Sequence, residues 1–200
     1  MPTASLAATA RAVRPHATPH LKLAPGSWYW QAQAKDRIWV RLVFVPKNKI
    51  EVDISWNRLT RTPDVQLVFG LYGDAVEFGS LTGNGFNSPA FHRLGFGTFA
   101  VNIAIQALKA NFAPSLPVVG VLSNTDEEHL ATEERLPLEA NRRAFWRRFG
   151  LDVITQGEPP RDYLQGRVGN LHVVTSGMLG GEFPRCISLR DFVRDPPSEL

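Results

Sequence analysis

The sequence predicts an α/β (α+β) domain: a mixed, mostly antiparallel central sheet flanked by helices. Three observations carry this. A strand pair alternates around turn residues at 38–56, an almost wholly apolar helix follows a glycine-rich loop at 98–110, and short strands alternate with a second, amphipathic helix after residue 118. With 200 residues, of which 44% are hydrophobic and 20% charged, the chain fits one domain with a well-buried core. It is too apolar to be disordered, and no apolar run approaches the 18 or so residues of a membrane span. The single cysteine, Cys186, excludes an internal disulfide framework and a cysteine-based zinc cluster. This fits a reducing, cytoplasmic compartment.

In chain order, residues 1–25 read as an arm. Ser5 to Val13 has the composition of a short helix, and Pro15, Pro19 and Pro25 break up the chain after it. Residues 1–35 carry four basic and no acidic side chains, whereas residues 36–200 are net −1. The pI near 9.3 therefore belongs to the arm. A nucleic-acid footprint on the body would need basic charge there, so nucleic acid is an expected partner only through the arm. The arm's acid-free, Ala- and Thr-rich composition is also that of a transit peptide. The folded body is expected over 26–189, with an exposed tail over 190–200.

Trp28-Tyr29-Trp30 suits a sheet edge or core, with a stacking platform as the alternative. Ile38–Val45 and Ile50–Trp56 read as a hairpin around Pro46-Lys47-Asn48-Lys49. Val65–Tyr72 is an apolar run read as helix or strand, and Ala75–Leu81 as a strand. Residues 82–97 hold four glycines and form a loop. In the helix after that loop, Thr98, Asn102, Gln106 and Lys109 make one narrow polar stripe, so the remaining surface is buried. Val118–Leu122 is a buried strand. Residues 125–139 hold six acids and one arginine, and residues 140–150 hold four arginines and no acid. Pro137 marks the expected start of an amphipathic helix and Gly150 its stop, with Leu138, Phe145 and Phe149 on the inner face. Leu151–Thr155 and Leu171–Thr175 are expected as final strands. No internal repeat is present. His129 and His172 lack ligand spacing, so no metal is expected.

The chemistry concentrates in His92-Arg93-Leu94-Gly95-Phe96-Gly97-Thr98, just before the buried helix. Glycines at a helix N-terminus let backbone N–H groups and the helix dipole meet an anion, which makes a phosphate cradle. Gly95, Gly97 and Ala100 match G-x-G-x-x-G/A, but no good strand precedes them and no acid lies about 20 residues on. The Gly-Lys-Ser/Thr of a Walker A loop is absent.

These residues, followed by the helix, the strand at 118–122 with Ser123-Asn124, and then Phe145-Trp146-Arg147-Arg148-Phe149-Gly150-Leu151, resemble the GCN5-related N-acetyltransferase (GNAT) superfamily over about residues 36–176. The resemblance implies a GNAT-like sheet whose parallel strands splay at an acyl-CoA site. It implies an acyl-CoA-dependent N-acyltransferase, moving an acetyl group from acetyl-CoA to an amine. Backbone amides from Arg93 to Thr98, Leu94 among them, would receive the coenzyme A pyrophosphate, with His92 beside them. Leu81 and Thr82 would lie near the pantetheine, and Asn124 (or Asn141) and Trp146 would complete the cofactor residues. Four features depart from the family pattern. His92 stands where Gln or Arg is usual. Trp146 stands where a tyrosine often protonates the leaving thiolate, which an indole N–H does not do in turnover. The acidic segment after strand 118–122 and the loop from Leu81 to Arg93 are longer than usual.

Aminolysis of a thioester needs a neutral amine and a route for its proton. Glu77, on the strand entering the cradle, is the first candidate base; an outward-facing strand residue is its plain alternative, and Asp74 lies close by. Ser123 is a candidate contact for the thiolate. The acidic segment could attract a cationic amine or be a solvated face, and Arg142, Arg143, Arg147 and Arg148 are expected to pair with it rather than with phosphates. Two alternatives stay open: a non-catalytic acyl-CoA-binding or protein-interaction module on the same fold, and an acetyltransferase acting on a protein or charged tRNA through the basic arm. A homodimer is also left open.

Overall fold

The computed structural model describes residues 22–32, 38–56, 62–82, 94–122, 131–179 and 183–194. Eight strands form one sheet: β1 (Gly26–Ala32), β2 (Ile38–Val45), β3 (Lys49–Trp56), β4 (Val65–Tyr72), β5 (Ala75–Thr82), β6 (Pro117–Leu122), β7 (Asp152–Gln156) and β8 (Arg161–Arg167). Their spatial order is β1-β2-β3-β4-β5-β6-β8-β7, and only the β5–β6 pair is parallel. Helix α1 (Phe96–Asn111) crosses from β5 to β6, and α2 (Thr132–Arg147) from β6 to β7. The fold is a mixed α/β arrangement around a large, mostly antiparallel sheet. No helix among the described residues is long and apolar enough to cross a membrane.

The expected hairpin forms as β2–β3, with Ile38 opposite Trp56 and Val45 opposite Lys49. The apolar run at 65–72 is a strand, its odd-numbered residues buried beneath α1. Cross-strand register puts Ile50, Phe69, Phe78, Gly120, Leu164 and Val153 on one face. Both helices lie on that face: Phe96 of α1 packs edge-on against Trp56, and Trp146 of α2 against Phe78. Right-handed crossovers that step in the same direction along a sheet leave their helices on the same side. The other face carries no helix among the described residues.

Several expectations are corrected. Helix α1 starts at Phe96, two residues early, because Gly95 in the left-handed conformation (φ 94°) is its N-cap. Helix α2 starts at Thr132, so Pro137 lies inside it rather than at its first turn. Glu133 and Glu134 occupy that first turn, where the helix dipole favours carboxylates. Leu138 is exposed, and Trp146 with Glu139 faces inward instead. Leu171–Thr175 is no strand: Val174 bonds through both backbone groups to the side chain of Asn102, not to a ladder. The strand beside β6 is β8, which sequence reading misses because Leu164 is its only large aliphatic residue.

The exposed tail does not begin at residue 190. Phe192 is buried, and Val193 exchanges two backbone hydrogen bonds with Tyr29 on the edge of β1 (2.7 and 2.9 Å). Cluster Trp28–Trp30 is accordingly a sheet edge, with Trp30 edge-on to Phe99. The expected helix at 5–13 lies outside the described residues.

Candidate functional site

Strands β5 and β6 pair through Val76–Val118, Glu77–Val119 and Phe78–Gly120, and there the ladder stops. Strand β5 runs on to Thr82 and β6 to Leu122. The parallel strands thus fork at their carboxyl ends, leaving backbone groups of Gly79–Thr82 and Val121–Leu122 without ladder partners across the gap. Gly79 marks the cause. The β4–β5 register passes from Phe69–Phe78 to Val68–Ser80, so Gly79 is an extra residue, a bulge that bends β5. A Cβ on Gly79 would lie 3.0 Å from the Val68 carbonyl. Below the fork, Gly120 leaves room for Phe78, whose Cβ would be 2.5 Å from a Cβ at 120.

Because α1 follows β5 and leads back to β6, its N-terminus lies at the forked end. Carboxyl ends of parallel strands are where open sheets hold ligands. The N-cap Gly95 brings no side-chain cap, and Phe96, Gly97 and Thr98 are buried there. Among the described residues, two guanidinium groups flank it. Arg148, just past α2, donates to Thr98 Oγ1 at 3.5 Å and lies 5.4 Å from the Phe145 ring centre. Arg185 packs on Gly95 and Gly177, where a Cβ at 95 would lie 2.5 Å from its Nε. It donates to the carbonyls of Met178 (2.9 Å) and Ser176 (3.4 Å). The direction from Gly95 Cα, expected to face a phosphate, is therefore filled by a guanidinium.

Arg185 reaches this place because the polar stripe of α1 holds its segment. Asn102 is completely buried; its Nδ2 donates to the carbonyls of Val174 (2.9 Å) and Arg185 (2.6 Å), and its Oδ1 accepts from Val174 N (2.8 Å). Gln106 donates to the Ile187 carbonyl at 2.8 Å. Burial raises the Cys186 thiol pKa in the same strap.

The other expected site residues are dispersed around the fork. Leu81 is half-buried on the helix-bearing face, and Thr82 is exposed on the open face opposite Gln66. Leu94 is partly exposed beside Gly95. Trp146 is buried against Phe78, Phe145 and Phe149, behind the last rung of the parallel ladder. Glu77 is exposed on the open face, one residue before that rung, and has no ion-pair partner among the described residues. Asp74 is in the β4–β5 turn, at the far end of β5 from the fork. His92, Arg93, Ser123 and Asn124 lie outside the described residues.

Of the four arginines, Arg143 pairs with Glu139, as expected, and also with Asp162 (Nε–Oδ2 2.6 Å). Burial pushes the Asp162 carboxyl upward, but hydrogen bonds from Arg143 and Thr155 outweigh it and the pKa ends below the usual carboxylate range. Arg147 reaches the Val153 carbonyl at 3.4 Å. Arg148 turns instead to α1.

On the open face, Asp53 accepts from Arg41 (2.9 Å) and Gln66 (3.0 Å), with Glu51 also beside Arg41 and Lys49. Burial, reinforced by Glu51, raises the Asp53 pKa despite these bonds. Both acids are committed to internal pairing, which leaves Glu77 as the carboxylate beside the fork without an ion pair among the described residues. No group of three or more His, Cys, Asp or Glu suited to a metal occurs among the described residues.

The residues that sequence reading misses are Gly79, Gly120 and Arg185. A glycine inside a strand is the one available signal for the first two; nothing in sequence links Arg185 to a helix 90 positions earlier. No family model matches the chain, and neither a curated protein nor a solved structure does.

Proposed function

We propose that the chain is an acyl-CoA-dependent N-acyltransferase on a GNAT-like sheet, passing an acetyl group from acetyl-CoA to an amine. The observation that carries this reading is the forked parallel pair with the N-terminus of α1 at its open end. The unpaired backbone groups of the fork suit the two amides of a pantetheine arm, as an added strand would. The start of α1, where the N-cap is a glycine and Arg148 and Arg185 lie alongside, suits the pyrophosphate. In the reaction the amine nitrogen bonds to the thioester carbonyl carbon and the C–S bond breaks. Glu77 takes the amine proton, directly or through water, on the open face. The thiolate leaves as coenzyme A after gaining a proton. Ser123 is the proposed partner of that sulfur.

Trp146 favours a second reading, acyl-CoA binding without turnover, since its buried indole supplies no proton to the thiolate. Calorimetry with coenzyme A and acetyl-CoA, followed by thiol release with an amine panel, separates the two. Micromolar binding with thiol release supports the acyltransferase. Binding without release by any amine supports the second reading, and absence of binding overturns both. Arg148→Ala should weaken coenzyme A binding about tenfold, the scale of one charge-assisted contact.

A further inference from the structure

We infer that the outer stripe of α2 is a docking surface for a second copy of this chain, the two helices lying antiparallel about a two-fold axis at Ala140. The inference does not depend on the acyltransferase reading. Helix α2 meets the rest of the molecule through one side only. Glu139 and Trp146 are buried, and Arg135, Arg142 and Phe145 are half-buried beside them. At about 100° per residue, these five fall on one side of the helix. The opposite side carries Glu133, Leu136, Pro137, Ala140, Ala144 and Arg147, all exposed. Its middle is an unbroken apolar row from Leu136 to Ala144, with Leu136 itself 56% exposed.

The ends of this row carry opposite charge, and that names the occupant. Glu133 and Arg147 lie equally far from Ala140, each close to two helical turns away. Antiparallel pairing about Ala140 therefore sets Glu133 against Arg147 of the second copy, and Leu136 against its Ala144. The two-fold repeats both contacts, so an ion pair closes the apolar row at each end. Parallel pairing would set Glu133 against Glu133 and Arg147 against Arg147, so charge selects the antiparallel register. Both groups are available. Glu133 has no ion-pair partner among the described residues, and Arg147 reaches only the Val153 carbonyl, at 3.4 Å. The other charges of α2 do not oppose the pairing. Arg135 and Arg143 are ion-paired to Glu139, Arg142 is half-buried on the inner side, Arg148 turns to Thr98, and Glu134 lies about a third of a turn off the stripe. A small residue at the crossing lets the helix axes approach to about 8 Å. From Glu133 to Arg147 the stripe is about 21 Å long, so the interface belongs to the small, reversible class.

The test is sedimentation equilibrium of the full chain at low salt, over concentrations from micromolar upward. A monomer–dimer equilibrium is expected, and it should weaken as salt is raised. Glu133→Arg should raise the dimer dissociation constant about tenfold or more, because the two-fold puts two like-charged contacts into each dimer. Combining Glu133→Arg with Arg147→Glu should bring it back to within a few-fold of the parent, a rescue that damage to the fold would not give. Both positions are exposed, so neither change disturbs the core. A chain that stays monomeric at every concentration overturns the inference. So does a dimer indifferent to Glu133→Arg, which must use another face, and so does a double variant that stays dissociated.

Discussion

Gly95, Gly120 and Asp162 show how single residues set the site. Gly95 combines a left-handed φ with a guanidinium packed on its α-carbon. Gly95→Ala should cost about 1–2 kcal/mol from the backbone alone, read from urea unfolding, and should also displace Arg185. Gly120→Ala forces a methyl against Phe78, with an expected loss of about 1–3 kcal/mol and a change in the fork that coenzyme A titration would register. Asp162 has a folded pKa below its unfolded value, so it contributes stability above the usual carboxylate range and loses it as pH falls through the folded pKa. Asp162→Asn should therefore narrow the difference between unfolding free energies measured at pH 7 and about pH 3. Asp53, raised by burial, acts in the opposite sense: its stabilising share is largest at low pH and declines as pH rises. Asp53→Asn should steepen the same acid limb.

At the scale of elements, α1 illustrates how far a pattern carries. Its stripe Thr98, Asn102, Gln106 is legible as the one polar row on a buried helix, and the structure keeps it. Its purpose is not legible, because the partners Val174, Arg185 and Ile187 are some 70–85 residues away. Asn102→Ala should remove three hydrogen bonds and strand two carbonyls and an N–H, costing about 2–4 kcal/mol. Faster proteolysis within 171–194 than in the parent would locate the loss in the strap. Helix α2 shows where local signals mislead. Proline favours a first turn, yet Pro137 is tolerated five residues in, at the expense of the bond to the Glu133 carbonyl. Pro137→Ala should raise stability by about 1–3 kcal/mol, measured by thermal unfolding. The missed strand β8 has an equally local cause. Asp162 and Leu164 alternate inward, but Asp162 is an acid, and only its pairing with Arg143 and Thr155 lets it occupy a core-facing position.

For the whole molecule, the charge division matters most. The surplus positive charge sits in residues 1–35, and the rest is nearly neutral. Deleting residues 1–21 should reduce retention on a polyanion at low salt and leave coenzyme A affinity unchanged. A matching fall in that affinity would place the arm in the site. The chain by itself determined the strand hairpin, the buried helix after a glycine-rich turn and the location of the basic surplus. These depend on composition and on periodicities within a few turns of chain. Only the tertiary structure decided that both helices share one face, that β5 and β6 part beyond Phe78, and that the strap brings Arg185 over Gly95. Each of these needs contacts between segments far apart in sequence, where a one-residue bulge or one buried asparagine changes which groups meet, and no local pattern records it.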